Sequence, residues 1–141
     1  MQSEDWRSSK GLEGIMKLSE LREDVTPKQL DDVEAFADRL WGKLGVDVEF
    51  TRHFIDRVND ERNGKEISAA ELIRLFKKEY EKFGKDVKAL DDNDEAVFKD
   101  LMTDLNLPFV MRDRRNGKEL MAKTIMRKKN FKHNDKSYEV K

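Results

Sequence analysis

The chain has no cysteine, which excludes a disulfide framework and any thiolate metal site and points to a reducing, cytosolic setting. It also lacks long apolar runs, and the opening MQSEDWRSSK does not show the basic-then-apolar order of a secretory signal. Neither export nor a membrane span is therefore expected. Net charge is nearly absent: 29 Lys and Arg stand against 30 Asp and Glu, a formal −1, although 42% of residues are charged. No global pull toward nucleic acid follows, so any electrostatic argument rests on how charge is distributed. Histidine is scarce, with only His53 and His133 present. His133 falls in a polar C-terminal segment, so His53 has no histidine partner for a dedicated metal site, and neither metal nor cofactor is expected. There is no glycine-rich phosphate loop, serine-nucleophile elbow or zinc-protease helix. The oxygen-rich run from Asp91 to Glu95 opens like a calcium loop. It has Ala96 where the bend requires glycine and Met102 where a glutamate belongs, so it reads as a solvated turn.

What remains is a 141-residue chain of a size that folds as one domain. The expected organisation is a mobile arm over 1–25, a single α+β domain over 26–131 and a polar tail over 132–141. Thr26, Pro27 and Gln29 form a helix start, with an N-cap, proline at the first helical position and a capping-box glutamine. Leu30, Val33, Ala37, Leu40, Trp41 and Leu44 then recur at three-and-four spacing, and Gly45 can end the helix in the left-handed region. Val46, Val48 and Phe50 alternate with polar residues, the period of a half-buried strand. That strand runs into a short helix with Phe54, Ile55 and Val58 inward, ending before the Asn63-Gly64 turn. Ser68 and Glu71 make a second capping box for a helix with the stripe Leu72, Ile73, Phe76, Tyr80 and Phe83, closed by Gly84. Residues 87–105 suit either a short helix or a strand.

The clearest strand signal is Asn116-Gly117 between two alternating segments, 109–113 and 118–128, which predicts a type I′ hairpin. With Asn116 and Gly117 as the turn, Arg112 pairs with Met121, Met111 with Ala122 and Phe109 with Thr124. Phe109, Met111, Leu120, Ala122, Thr124 and Met126 then share one face, and Val110, Arg112, Met121, Lys123, Ile125 and Arg127 the other. The expected fold is α+β, with N-terminal helices packed on a small antiparallel sheet that ends in this C-terminal β-hairpin.

Charge is segregated along the chain. Residues 85–104 hold seven acids and three lysines, a balance of −4, whereas residues 112–132 hold nine bases and two acids, a balance of +7. The basic stretch is where phosphates would be met; the alternative is that the two stretches neutralise each other across the fold. The Arg127, Lys128, Lys129 run beside Phe131 fits phosphate contact and a solubilising strand end equally well.

His53, Asp56 and Arg57 lie on one helical face, so imidazole, carboxylate and guanidinium could converge at the strand-helix junction. Histidine can move a proton, arginine can hold a phosphate, and the 2′-hydroxyl of RNA supplies a nucleophile without a metal. The competing reading is a surface network in which His53 and Arg57 pair with Asp56, Asp60 or Glu61.

The run from Phe50 to Asp60, the Asn63-Gly64-Lys65 turn and the run from Lys123 to Phe131 together resemble small uncharacterised proteins encoded by tailed bacteriophages. The order of strand, histidine- and arginine-bearing helix, second helix and hairpin is similar to the barnase, EndoU, colicin and RelE-like nuclease superfamily. That resemblance implies His53 and Arg57 on the helix, with Arg112, Lys123, Thr124 and Arg127 on the hairpin, as active groups. In the resulting expectation His53, Arg57 and Thr124 are catalytic, and Arg112, Lys123, Arg127 and Lys128 contact RNA, which is cleaved without a metal in the host cytoplasm. The segment from Met16 to Glu23 looks like the leaders that direct internal proteins into phage heads, with Leu18-Ser19-Glu20 fitting a prohead protease site, and Met16 could be the natural start. This supports a different expectation: a non-enzymatic virion protein packaged in the phage head, or a module that binds a host protein.

Overall fold

The structure, a computed structural model, describes residues 25–141; the leader-like segment and the rest of the expected arm up to Asp24 lie outside the described residues. Val25 is buried and held by Asn59, whose side chain accepts from its N–H at 2.9 Å and donates to its carbonyl at 2.8 Å. The packed domain therefore includes Val25.

Helix α1 (Pro27–Gly42) starts with the expected reciprocal capping box. Thr26 Oγ1 accepts from Gln29 N–H at 3.1 Å, and Gln29 Oε1 accepts from Thr26 N–H at 2.9 Å, which satisfies two otherwise orphaned amides. Leu30, Val33, Ala37 and Trp41 are buried, and Gly45 takes φ +78° after the helix ends. Strand β1 (Val46–Phe50) buries alternate residues as its period predicts. Thr51 then caps α2 (Arg52–Val58), in which Phe54 and Val58 are buried but Ile55 is exposed. A 3-10 turn (Glu61–Asn63) leads to α3 (Ala69–Lys88), opened by the Ser68 and Glu71 capping box. Gly84 does not end α3. It lies inside the helix, where an added Cβ would come within 2.9 Å of Leu44 Cδ1, so the glycine permits close packing of α3 against the end of α1.

The remaining strands are β2 (Glu95–Asp100), β3 (Leu105–Arg114), β4 (Gly117–Ala122), β5 (Met126–Arg127) and β6 (Lys136–Val140). The sheet order is β1-β4-β3-β2-β6, with β5 also paired to β3. The α+β class and the hairpin stand, but the sheet is mixed and not wholly antiparallel, because β1 runs parallel to β4 and β6 parallel to β2. Helices α1 and α3 cover one face. Trp41 stacks on Phe98 at 5.7 Å and meets Tyr80 edge-on at 5.6 Å, while Phe76 lies 5.9 Å from Phe50 and 6.3 Å from Phe98. Among the described residues no helix is long and apolar enough to cross a membrane.

The hairpin register is shifted by two from the expected one. Phe109 pairs with Ala122, Met111 with Leu120 and Arg114 with Gly117, leaving Arg115 and Asn116 as the turn. Asn116 is not left-handed, so this is not a type I′ turn. The cause lies across the sheet. Gly117, at φ +150°, sits so close to Gly45 that a Cβ would fall 2.5 Å from its carbonyl oxygen, and Lys118 N–H donates to that oxygen at 3.0 Å. A shift of two keeps the faces, so Phe109, Met111, Leu120 and Ala122 are all buried as expected. Beyond Ala122 the faces change. Lys123 N–H still bonds Pro108, but Met126 pairs with Asn106, so Thr124 and Ile125 together span the place of Leu107. This bulge turns Ile125 into the core.

The expected polar tail over 132–141 contains β6. Tyr138 is 2% exposed and Val140 is buried, both on the helix-covered face, and Tyr138 lies 5.1 Å from Phe83. Two apolar residues among charged neighbours give too short a pattern to read without the neighbouring strand β2.

Candidate nucleic-acid interface

The capping residue of α2 fixes where His53 sits. Thr51 N–H donates to Ala122 carbonyl at 3.1 Å, and its hydroxyl donates to Lys123 carbonyl at 2.9 Å while accepting from Phe54 N–H. The start of α2 is thereby sewn to the end of β4, and His53, Lys123 and Thr124 belong to one junction. His53 itself is exposed and has no hydrogen-bond or ion-pair partner among the described residues. Thr124 Oγ1 is buried without a hydrogen-bond partner.

The two arginines expected to hold phosphate are engaged elsewhere. Arg57 lies 3.5 Å from Asp60, and Asp60 is held well below the ordinary carboxylate range by the hydrogen bonds of Arg62. The surface-network reading thus applies to Arg57, though not to His53. Arg127 places Nε on Lys65 carbonyl, Nη1 on Glu71 Oε2 and Thr103 carbonyl, and Nη2 on Glu71 Oε1 and Glu66 carbonyl, at 2.6–3.3 Å. A guanidinium has five N–H donors, and here all five are used. Its side chain is 11% exposed. Arg127 is therefore a scaffold residue, which corrects its expected role as a phosphate contact.

The segregated charges meet across the sheet. Lys123 pairs with Glu95, Arg112 lies 3.8 Å from Asp92, and Arg114 pairs with Glu119. The first two contacts join the acidic stretch to the basic one and offset two of its seven excess positive charges. Lys128, Lys129 and Lys132 remain exposed. At the opposite edge, Asp31, Glu34, Asp38, Asp47, Glu49 and Glu119 line an acidic groove. Glu119 sits beside Glu49 and raises its pKa through a shared hydrogen bond and like charge. Two of these carboxylates hold the strand edge, since Asp38 accepts from Val48 N–H at 2.9 Å and Glu34 from Phe50 N–H at 2.7 Å. They occupy the outward amides of edge strand β1 and so block strand addition there. Among the described residues no group of three or more His, Asp or Glu is placed to hold a metal ion.

Sequence reasoning missed a cluster on the sheet face away from the helices. Lys99 from β2, Ser137 from β6 and the loop carrying Phe131, Lys132, His133 and Asn134 line a concavity of about 580 Å3. The Phe131 and His133 rings stack at 5.2 Å with an interplanar angle of 23°. Lys99 Nζ lies 5.8 Å from the Phe131 ring centre and donates to Phe131 carbonyl at 2.7 Å. His133 Nε2 and Ser137 Oγ share a hydrogen bond of 2.9 Å, and His133 Nδ1 is buried without a partner. No carboxylate lines this pocket. The one sequence signal for it was Phe131 beside the lysine run; Lys99 lies far away in the acidic stretch and His133 was assigned to a tail.

Fold and site together define an α+β domain with a mixed sheet, helices on one face and a basic, aromatic-lined pocket on the other. Comparison with family models, curated proteins and solved structures gave no match, so the functional reading is built from the residues themselves.

Proposed function

We propose that this chain is a small phage-encoded RNA-binding domain, RNase-like in its plan, that recognises single-stranded RNA in the host cytoplasm. The observation that carries this reading is the Phe131 and His133 stack flanked by Lys99 and Lys132 on an open sheet face. Unpaired bases stack on aromatic rings while lysines meet the backbone, and each stacked base contributes about 1–3 kcal/mol. Exposed Lys128 and Lys129 extend the cationic surface toward this pocket along the chain. Metal-independent cleavage is a second reading, favoured by an exposed, unpartnered His53 beside the Lys123 junction. With Arg57 paired to Asp60, Arg127 to Glu71 and Lys123 to Glu95, that chemistry would depend on His53 and on release of Lys123 from its ion pair.

The test is fluorescence anisotropy of labelled mixed-sequence single-stranded RNA at two salt concentrations, with a parallel cleavage assay in EDTA. Recognition predicts salt-sensitive binding that Phe131→Leu weakens and His53→Ala does not, with the RNA intact. Cleavage abolished by His53→Ala would establish the ribonuclease reading. Absence of both would favour a virion or host-protein-binding module, for which Leu101, 45% exposed, and Met102, 71% exposed, offer an apolar contact at the β2-β3 turn.

A further inference from the structure

The pocket has more specific features than a general RNA surface. It is a shallow concavity of about 580 Å3, open to solvent, so a ligand would lie across it. It contains one aromatic stack, so it offers a platform for one base and not for a run of bases. Lys99 uses one of its three N–H donors on Phe131 carbonyl, which fixes the ammonium beside the ring and leaves two donors for a ligand. Lys132 lines the same concavity, together with the neutral donors and acceptors of Asn134 and Ser137. Two ammonium groups with no carboxylate in the lining itself, although Glu139 is the register partner of Lys99, suit a doubly charged phosphate better than the single charge of an internal phosphodiester.

Resting on the RNA-binding reading for its biological setting, we infer that this pocket takes a single nucleoside monophosphate unit, either free or as the phosphorylated end of a strand. The base extends the Phe131 and His133 stack, Lys99 and Lys132 hold the phosphate, and the Ser137 hydroxyl and Asn134 amide meet the sugar or base edge. Ser137 also keeps the His133 ring in place through their shared hydrogen bond.

The test is isothermal titration of the wild-type protein with adenosine monophosphate, adenosine and inorganic phosphate, followed by anisotropy with one RNA sequence carrying 5′-phosphate, 3′-phosphate or hydroxyl ends. Adenosine monophosphate should bind about tenfold or more tightly than either fragment. Phe131→Leu should weaken both adenosine monophosphate and adenosine, whereas Lys99→Gln should weaken only the phosphorylated ligand. Unchanged thermal unfolding of both variants makes these losses local. No measurable nucleotide binding, or equal binding of adenosine and its monophosphate, overturns the inference. With adenosine monophosphate bound, RNA that binds equally well with hydroxyl and phosphate ends supports the pocket as a site for the free nucleotide and overturns the strand-end form of the inference. Nucleotide binding without any RNA binding supports the pocket and removes the macromolecular reading.

Discussion

Arg127 grips Glu71 through two parallel N–H···O bonds, 2.9 Å from Nη2 to Oε1 and 3.1 Å from Nη1 to Oε2, and so ties β5 to the first turn of α3. Glu71 also accepts from Ser68 N–H at 2.9 Å, so one carboxylate serves both as a helix cap and as an ion-pair partner. Replacing Arg127 by Gln removes the charge that faces the part-buried Glu71 carboxylate and the hydrogen bonds that Arg127 gives to the Lys65, Glu66 and Thr103 carbonyls. The expected loss is about 3 kcal/mol, read as a lower urea midpoint.

Burial opposes ionisation of Glu71, but hydrogen bonds from Arg127 and Ser68 outweigh it and hold its pKa below the ordinary carboxylate range. The folded state therefore releases a proton that the unfolded state still binds. This stabilisation is complete above the ordinary carboxylate pKa and is lost as pH falls through the lower folded value. In Arg127→Gln the acid limb of the stability-pH curve should flatten; an unchanged limb would show that the clasp contributes no linkage.

Glu79 behaves in the opposite sense. Its side chain is fully buried on α3, and desolvation, aided by the nearby Asp100 charge and only partly offset by a backbone hydrogen bond from Lys99, pushes its pKa up to about 9. From the ordinary value near 4.5 up to about 9 the folded state keeps a proton that the unfolded state gives up, so this residue lowers stability progressively as pH rises across that window. Glu79→Gln removes the penalty and should stabilise the protein by about 3 kcal/mol near neutral pH. Thermal melts at pH 5 and pH 8 should converge for the variant and diverge for the wild type.

Tyr138→Ala tests whether the last strand is part of the core. Tyr138 packs against Phe83 and Phe98, so its truncation should cost about 3–5 kcal/mol. A surface tail residue would change stability by less than about 0.5 kcal/mol. His53→Ala, at an exposed site, should give that small value in the same denaturation series.

The double variant Glu34→Ala, Asp38→Ala frees the outward amides of β1. We expect about 1.5–3 kcal/mol lost per charged hydrogen bond removed, together with concentration-dependent association through the uncovered edge. Size-exclusion chromatography over a range of loading concentrations detects the association; a monomer at every concentration would show that the carboxylates stabilise β1 without guarding it.

Local signals in the sequence carried a long way. The Thr26 and Ser68 capping boxes, the α1 stripe from Leu30 to Trp41 and the alternation of β1 all depend on residues within a few positions of each other, and the structure contains each of them. The hairpin faces were legible through Ala122 because side-chain alternation survives a shift of two. The register itself was not, because the Gly117 approach to Gly45 belongs to a different strand pair. The acidic and basic stretches were plain in the chain, but whether they faced RNA or each other depended on which β2 residues lie beside which hairpin residues.

The α+β class, the helix starts, the alternating faces of the hairpin and the absence of thiolate chemistry could all be read from the chain, since these depend on composition, period and near neighbours. That Arg127 is a clasp, that 136–140 form a strand, and that Lys99, Phe131, His133 and Ser137 share a pocket became visible only in the folded arrangement. A guanidinium looks the same in a sequence whether its donors face solvent or five acceptors. In Arg127 those acceptors come from 24 to 62 residues away, and only folding brings them within hydrogen-bond reach.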